Sequence, residues 1–340
     1  MTLAPLGVVL VAYNSADVIL DCLETLLAAA NQDGTALRVV VVDNASPDDG
    51  VAVIRDWASG AAAYVPPVDL PFPHRPVPKP VPAGTLEVIP AGINGGFAAG
   101  VNVGLRALFA DPGIDRVWIL NPDSVVPPGT PAAFARHNGG PFSLMGGRVL
   151  YYDKPDVIQS DGGTLNRWTG VTGNFNLSRE FPGAAMPRAE DLAFICGASM
   201  VASRAFWDVA GSIPEEYFLY YEEVDWALRR GPLPLAVVAE AIIYHRAGSS
   251  IGSATLERSA SAFSIYFKSR SRMKFIRRWF PFALTTTLLY SFAKMAQLTS
   301  RGEGQAAKAM WDGTKGSLPQ GHVLDRLSPE TFRLIFRRNG

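Results

Sequence analysis

Two apolar runs near the N-terminus constrain the fold more than any other feature: Leu6-Gly7-Val8-Val9-Leu10-Val11-Ala12 and residues 37–42. Neither alternates polar with apolar residues, so each reads as a strand buried on both faces, as in a parallel sheet. Between them Ile19, Cys22, Leu23, Leu26, Leu27 and Ala30 recur at helical spacing, with Asn14 or Ser15 placed to cap the helix. After the second run, which ends at Asp43, Ser46-Pro47-Asp48-Asp49 reads as a further helix start: a cap, a proline at the first position and acids in the first turn. A βαβα opening of this kind commits the chain to an α/β fold with a doubly wound, mostly parallel sheet flanked by helices.

Downstream, residues 60–84 are rich in Pro and Ala and lack periodicity; they read as an extended surface insertion within the domain. A strand resumes at residues 86–89. The run Asn94-Gly95-Gly96-Phe97-Ala98-Ala99-Gly100-Val101-Asn102 then leads into a helix. Its glycines suit either an anion at a helix N-terminus or close helix–sheet packing. It is not G-x-G-x-x-G, so the dinucleotide fingerprint is missing. Next, Val117-Trp118-Ile119-Leu120 runs into Asn121-Pro122-Asp123. Pro122 cannot continue a central ladder, so the strand ends there and delivers Asp123 to its tip. In open α/β sheets ligands bind at such tips, although a lone Asp after a strand more commonly closes a turn.

Residues 143–152 read as a strand, residues 153–191 as a loop-rich stretch suited to a substrate lid, and residues 194–201 as an apolar strand. The aromatic run Phe218-Leu219-Tyr220-Tyr221 precedes Glu222-Glu223-Val224-Asp225, at the start of a helix that Gly231-Pro232 stops. Acids at a helix start suit its dipole, but the aromatic approach would also desolvate a carboxylate and make it a better base. Residues 235–244 form a last strand with His245 at its end, followed by a flexible turn over residues 246–250.

The formal net charge is zero, yet it is unevenly spread: from Ile251 onward there are 15 Lys/Arg against 5 Asp/Glu, and before it 16 against 26. Lys268, Arg270, Arg272, Lys274, Arg277 and Arg278 crowd into eleven residues, followed by Trp279, Phe280 and Phe282. Basic and aromatic residues together predict a membrane-surface contact; the other reading is a C-terminal helix packed on the catalytic domain with a solvated basic face. The following apolar stretch, broken by Lys294, is too marginal for a spanning helix. No nucleic-acid reader fold is present, so nucleic acid is excluded as a partner. The N-terminus lacks a basic n-region and a long apolar h-region. Cys22 and Cys196 both sit in apolar surroundings, as buried thiols in a reducing compartment do. The expected location is the cytoplasm, peripheral on the inner membrane.

Seven segments, in order, resemble inverting family 2 glycosyltransferases with a GT-A fold, especially the bacterial rhamnosyltransferase-like branch. They are Val9-Leu10-Val11-Ala12-Tyr13-Asn14, Val42-Asp43-Asn44-Ala45-Ser46, residues 94–104, Leu120-Asn121-Pro122-Asp123, Cys196-Gly197-Ala198, residues 218–225 and Tyr244-His245-Arg246. The resemblance implies a GT-A catalytic domain over residues 1–250 and a basic, helical C-terminal extension over residues 251–340. It implies a nucleotide-diphosphate sugar as donor, with Ala12, Tyr13, Asn14 and Asp43 at base and ribose. Asn94, Gly96, Phe97 and Asn102 would line the donor pocket, with Asn121 and Asp123 beside it. Asp123 and His245 would bind Mg²⁺ or Mn²⁺. Asn121 stands where many members carry Asp, leaving one carboxylate at the metal. The family's base position falls on Glu223, a Glu where Asp is usual, and leaves the base open between Glu223 and Asp225, with Glu222 alongside. The acceptor would be a hydroxyl of a glycan or polyprenyl-linked acceptor in cell-surface polysaccharide assembly. Two other readings remain at this point: a sugar-phosphate nucleotidyltransferase, which would want glycine or lysine in the Tyr13-Asn14-Ser15-Ala16-Asp17 loop, and a non-catalytic nucleotide-sugar-binding relic.

Overall fold

The computed structural model describes residues 4–246 and 259–336. The turn expected after His245 falls almost wholly within residues 247–258, outside the described residues. The elements in chain order are β1 (Leu6–Ala12), α1 (Ile19–Asp33), β2 (Leu37–Asp43), α2 (Gly50–Ser59), β3 (Leu86–Pro90), α3 (Phe97–Phe109), β4 (Arg116–Leu120) and β5 (Ser124–Val125). They continue with α4 (Thr130–Arg136), β6 (Leu144–Tyr151), β7 (Ile158–Ser160), β8 (Gly163–Leu165), β9 (Thr172–Asn174), β10 (Ser199–Ser203), α5 (Arg204–Ala210), α6 (Glu222–Leu228) and β11 (Ala236–His245). Four helices close the chain: α7 (Ala262–Trp279), α8 (Leu284–Ser300), α9 (Gly304–Lys315) and α10 (Pro329–Phe336).

Among the described residues the central sheet has nine strands, in the order β3-β2-β1-β4-β10-β6-β11-β5, with β7 added on β6. The apolar runs behave as their patterning requires. β1 pairs parallel with β2 and β4, β2 with β3, and β6 with β11. Only β10, β5 and β7 run against their neighbours. Val8, Leu10, Val39 and Val41 face a core with α1 and α2, while Val9, Val40 and Val42 face α3. α3 lies unusually close to the sheet: a Cβ on Gly104 would come within 2.6 Å of Val9, and one on Gly100 within 2.5 Å of Val11. Those two glycines serve packing.

Several local expectations are corrected. α1 starts at Ile19, four or five residues beyond the expected caps, and Val18 and Ile19 donate to the Ser15 carbonyl instead. α2 starts at Gly50, because the Ser46 hydroxyl accepts from the Asn14 N–H and donates to Asp48. The apolar stretch at 194–198 is not strand; β10 begins at Ser199. The stretch at 153–191 holds three short strands, with β8 and β9 forming their own hairpin.

The insertion at 60–84 has no helix or strand, as expected, yet it is fastened to α1. Glu24 is 1% exposed and accepts from Trp57 Nε1 at 2.7 Å, the Val77 N–H at 2.7 Å and Lys79 Nζ at 3.2 Å. Lys79 also stacks over Trp57, 3.3 Å from the ring centroid. A buried carboxylate needs such partners to remain charged.

The C-terminal helices continue the core. Phe275 and Ile276 of α7 join the α3-side cluster, and Phe263, Tyr266 and Phe267 pack on Phe218 and Leu219. This overturns the reading of the basic run as a membrane-facing stripe. Arg270 and Arg272 are 5% and 6% exposed, over the rings of Phe336 and Tyr290. Lys274 donates to the Glu216 carbonyl and Arg278 pairs with Asp225 and Glu216. Long basic side chains bury their stems readily when their heads find acceptors. Among the described residues no helix is long and apolar enough to cross a membrane.

Removing the Glu24 carboxylate leaves a lysine, an indole N–H and a backbone N–H without their buried acceptor. Glu24→Ala should lower stability by about 3–5 kcal/mol in urea unfolding and open residues 60–84 to limited proteolysis in the folded protein.

Candidate functional site

The C-terminal tips of β1, β2 and β4 lie side by side, with Ala12 opposite Asp43 in the parallel register. β1 leaves the sheet through Tyr13 and Asn14, whose φ of 49° makes the turn tight. Asp43 Oδ1 accepts from the Ser46 N–H at 3.0 Å and the Asn44 N–H donates to the Ala12 carbonyl at 2.9 Å. Asn44 is 3% exposed and reaches the neighbouring loop, donating to Asn94 Oδ1 at 3.0 Å and the Gly96 carbonyl at 3.1 Å. Gly96 has φ of 88°, and a Cβ there would meet the Phe218 carbonyl at 2.2 Å. Only glycine allows that approach. The Phe97 N–H donates to the same carbonyl at 3.2 Å. Ala12, Tyr13, Asn14, Asp43, Asn94, Gly96 and Phe97 therefore form one continuous rim.

Asn102 does not join it. Fully buried, it donates to the Ile213 carbonyl and Glu215 Oε1, both at 2.9 Å, and accepts from the Ile213 N–H at 3.0 Å. Its expected place in the donor pocket is corrected: its amide holds the 213–215 turn.

At the tip of β4 the Asn121 N–H donates to the Ala198 carbonyl at 3.0 Å. Asp123 and His245 are 8% and 7% exposed, and His245 Nε2 lies 3.0 Å from Asp123 Oδ1 and 3.2 Å from Asn121 Nδ2. The other ring nitrogen, Nδ1, is 2.9 Å from Gln159 Oε1 on β7. With that oxygen accepting, the Nδ1 proton is fixed and the Nε2 lone pair faces Asp123, as a metal-ligating histidine requires. Ser124 Oγ is buried nearby without a hydrogen-bond partner. Among the described residues no group of three His, Cys, Asp or Glu side chains could hold a metal. A cation at this point would thus take two protein donors, Asp123 and His245, and draw its other oxygens from ligand and water.

The acids of α6 stand on a strained entrance. Phe218, Tyr220 and Tyr221 all have positive φ, 69°, 66° and 72°, a region where bulky side chains are outliers and which clusters at functional sites. The Tyr221 hydroxyl donates to the Gly170 carbonyl and the Tyr220 hydroxyl bonds Ser264, both at 2.6 Å. These bonds hold the turn. Glu223 then lines a cavity of about 130 Å³ with Thr172, Asn174, Cys196, Gly197, Tyr220 and Lys268. A Cβ on Gly197 would stand 3.9 Å from Glu223 Cγ and 4.0 Å from the Phe97 ring, so this glycine joins the acid to the donor rim.

Burial pushes Glu223 above the usual carboxyl range, while backbone N–H groups at the helix start and the Lys268 ammonium act against the rise. Glu222 is 4% exposed with Oε2 unpartnered. Burial first and the neighbouring Glu223 charge second push it well above its ordinary value. Glu223 alone of the two faces the Lys268 ammonium, which favours its charged form. Lys268 is wetted through the cavity mouth, but protein surrounds enough of it to press its ammonium below the usual range, against the pull of Glu223. Asp225 differs. It is fully buried, and both oxygens are engaged: Oδ1 by Arg229 at 2.7 Å, Oδ2 by Tyr217 at 2.6 Å and Arg278 at 2.9 Å. Burial raises its carboxyl, yet those hydrogen bonds prevail and hold it below the usual range.

Sequence reasoning missed Gln159, Lys268, Thr172 and Asn174. Lys268 had been read with the basic run; its i, i+3 and i+4 neighbours Ser271 and Arg272 also turn inward, which an inward-facing helix stripe would have signalled.

Residues 7–70 match the sequence profile of glycosyl transferase family 2. The low-salt glycan biosynthesis hexosyltransferase Agl10 of Haloferax volcanii is 24% identical over 227 residues, which cover 66% of this chain and 61% of that protein. The match thus spans less than two thirds of this relative. Among solved structures, the mannosyltransferase PcManGT from Pyrobaculum calidifontis in complex with GDP-Man and Mn²⁺ superposes with a TM-score of 0.51 at 14% identity, over 98% of this chain and 86% of that one. GalNAc-T7 with UDP, GalNAc and Mn²⁺ gives 0.53 at 11% identity, over 92% and 56%. At such identities the likeness establishes the fold alone, that of the GT-A glycosyltransferases.

Two outcomes follow from the electrostatics of the site. Lys268→Met removes a cation facing Glu223, so Glu223 should titrate at higher pH in carboxyl-labelled NMR, with Lys268→Arg restoring the lower value. Asp225→Asn should cost roughly 2–4 kcal/mol near neutral pH. Because the folded carboxyl is depressed, that difference should be complete above about pH 4 and shrink as pH falls through the folded value, followed by chemical unfolding.

Proposed function

We propose that the protein transfers a hexosyl group from a nucleoside-diphosphate sugar to a hydroxyl of a glycan or polyprenyl-linked acceptor, inverting the anomeric centre. The observation that supports this is the connection of two separate acid sites along one wall. Asp123 and His245 stand at the β4 tip, Glu223 stands in the cavity, and Asn121, Ala198 and Gly197 link them. Displacement at a sugar carbon needs charge stabilisation on the leaving side and a base on the attacking side.

The donor's base and ribose lie on the rim from Ala12 to Asp43, with the Gly96-Phe97 turn next to the diphosphate. Asp123 and His245 would hold Mn²⁺ or Mg²⁺, the imidazole favouring Mn²⁺. When bound, the cation neutralises the charge that builds on the departing diphosphate. Glu223 accepts the acceptor's hydroxyl proton as the acceptor oxygen bonds to the anomeric carbon and the carbon–phosphate-oxygen bond breaks. A carboxyl raised above its usual range binds a proton more tightly and is the better base for it. Asp225 serves Glu223 by fixing α6, since neither of its oxygens is open to a substrate.

A panel of GDP-mannose, UDP-glucose, UDP-GalNAc and dTDP-rhamnose, each with Mn²⁺, tests this reading through donor binding by calorimetry and transfer or slow donor hydrolysis. One donor should bind and react. Glu223→Gln should lower turnover by about 10²–10⁴-fold with donor affinity kept, and Asp123→Ala should remove the dependence on metal. A Glu223→Gln protein that transfers at the full rate would move the base elsewhere, and a protein that binds no donor would leave the reading without support.

A further inference from the structure

α8 is amphipathic in the wrong sense for a helix in water. Its buried positions include Thr287 and Ser291, 0% and 1% exposed. Both hydroxyls bond back to their own helix, and Ser291 Oγ also accepts from Arg272 at 2.7 Å. The large apolar residues point outward: Leu289 is 63% exposed, Phe292 48% and Leu288 36%. Phe282, just before the helix and two turns from Leu289, is 62% exposed. A residue from elsewhere in the chain extends this face. Trp168, 61% exposed, sits in the loop between β8 and β9 with its ring 5.2 Å from Phe282. Its carbonyl accepts from Thr286 and Thr287 at the start of α8. The loop is thus fastened to the helix, and the aromatic pair is a built feature.

Charge selects what covers this face. Residues 259–302 contain eight Lys/Arg and no Asp or Glu. Arg270, Arg272 and Lys274 turn into the protein and Lys268 and Arg278 face its acids, but Arg277 and Arg301 are exposed and Lys294 is half-buried, and the exposed Arg167 adjoins Trp168. In a two-fold contact between copies the same cations would face one another. An apolar face with aromatic residues, rimmed by cations with Glu303 at its far end, matches an anionic bilayer surface, where aromatic rings seat at the headgroup level and basic residues meet lipid phosphates.

We propose that the outer face of α8, with Phe282 and Trp168, docks the protein on an anionic lipid bilayer, lying in its surface without crossing it. This contact is centred on α8 and draws on the basic run of α7 only through Arg277, since Arg270, Arg272, Lys274 and Arg278 have internal partners, and it does not depend on the chemistry proposed above. Flotation of the full chain with vesicles of phosphatidylcholine alone, or with added phosphatidylglycerol, tests it. The wild type should float with the anionic vesicles, less so in high salt. Leu289→Glu combined with Phe292→Glu should reduce that partition by about ten-fold or more, with an unchanged thermal transition and donor binding. Arg277→Glu should weaken it on anionic vesicles alone. Wild-type protein that ignores anionic vesicles, or a double variant that floats as well as the wild type, would overturn the proposal. So would light scattering that shows a wild-type dimer dissolved by the double substitution, which would assign the face to a second copy.

Discussion

One buried carboxylate organises the approach to the site. Asp225 accepts from Tyr217 on the preceding turn, Arg229 on its own helix and Arg278 at the end of α7. Three segments that converge on one charge fix the first turn of α6 in direction and height. That turn carries Glu223 towards the cavity and leaves Glu222 buried behind it. An ion pair so deeply placed adds little net stability compared with an apolar contact of equal size, because desolvation offsets most of the attraction. What it supplies is orientation. The positive φ values of Phe218, Tyr220 and Tyr221 fit this picture, because a strained entrance persists only where its surroundings hold it.

The parallel half of the fold was legible because its signal is local. Unbroken apolar runs at residues 6–12 and 37–42 can only be strands covered on both faces, and Pro122 stops β4 where the structure ends it, at Leu120. Helix starts were less legible. Ser46 has the chemistry of a cap, yet a neighbouring strand end offers the Asn14 N–H, and the hydroxyl goes there. β7, β8 and β9 have three residues each, too short to show alternation among turn residues.

Side-chain roles divide along the same line. The placement of Asp43, Asp123 and His245 at strand tips was legible because each stands just past the end of an apolar run. Asn102 was misjudged because its neighbourhood in sequence is the donor rim while its partners, Ile213 and Glu215, lie more than a hundred residues away. The basic run of α7 misled for the same reason. Its acceptors are the carbonyl of Glu216, the carboxylate of Asp225 and aromatic rings near the chain's end, and no spacing rule reveals partners at that range. The glycines at 100 and 104 had two readings open, and contact with Val11 and Val9 selects packing.

The helix α10 touches the Asn94-Gly95 loop of the site. Thr331 of α10 donates to the Asn94 carbonyl at 3.0 Å, and the Leu334 side chain stands against Gly95. The segment that binds Asn44 and the segment that closes the chain therefore share a hydrogen bond, and their local unfolding is linked. Linkage is reciprocal: whatever steadies the loop steadies α10 by the same free energy, and whatever detaches α10 loosens the loop. Under the function proposed above, α10 is thus a handle on donor affinity that acts from outside the pocket, open to any event that binds or strips this helix.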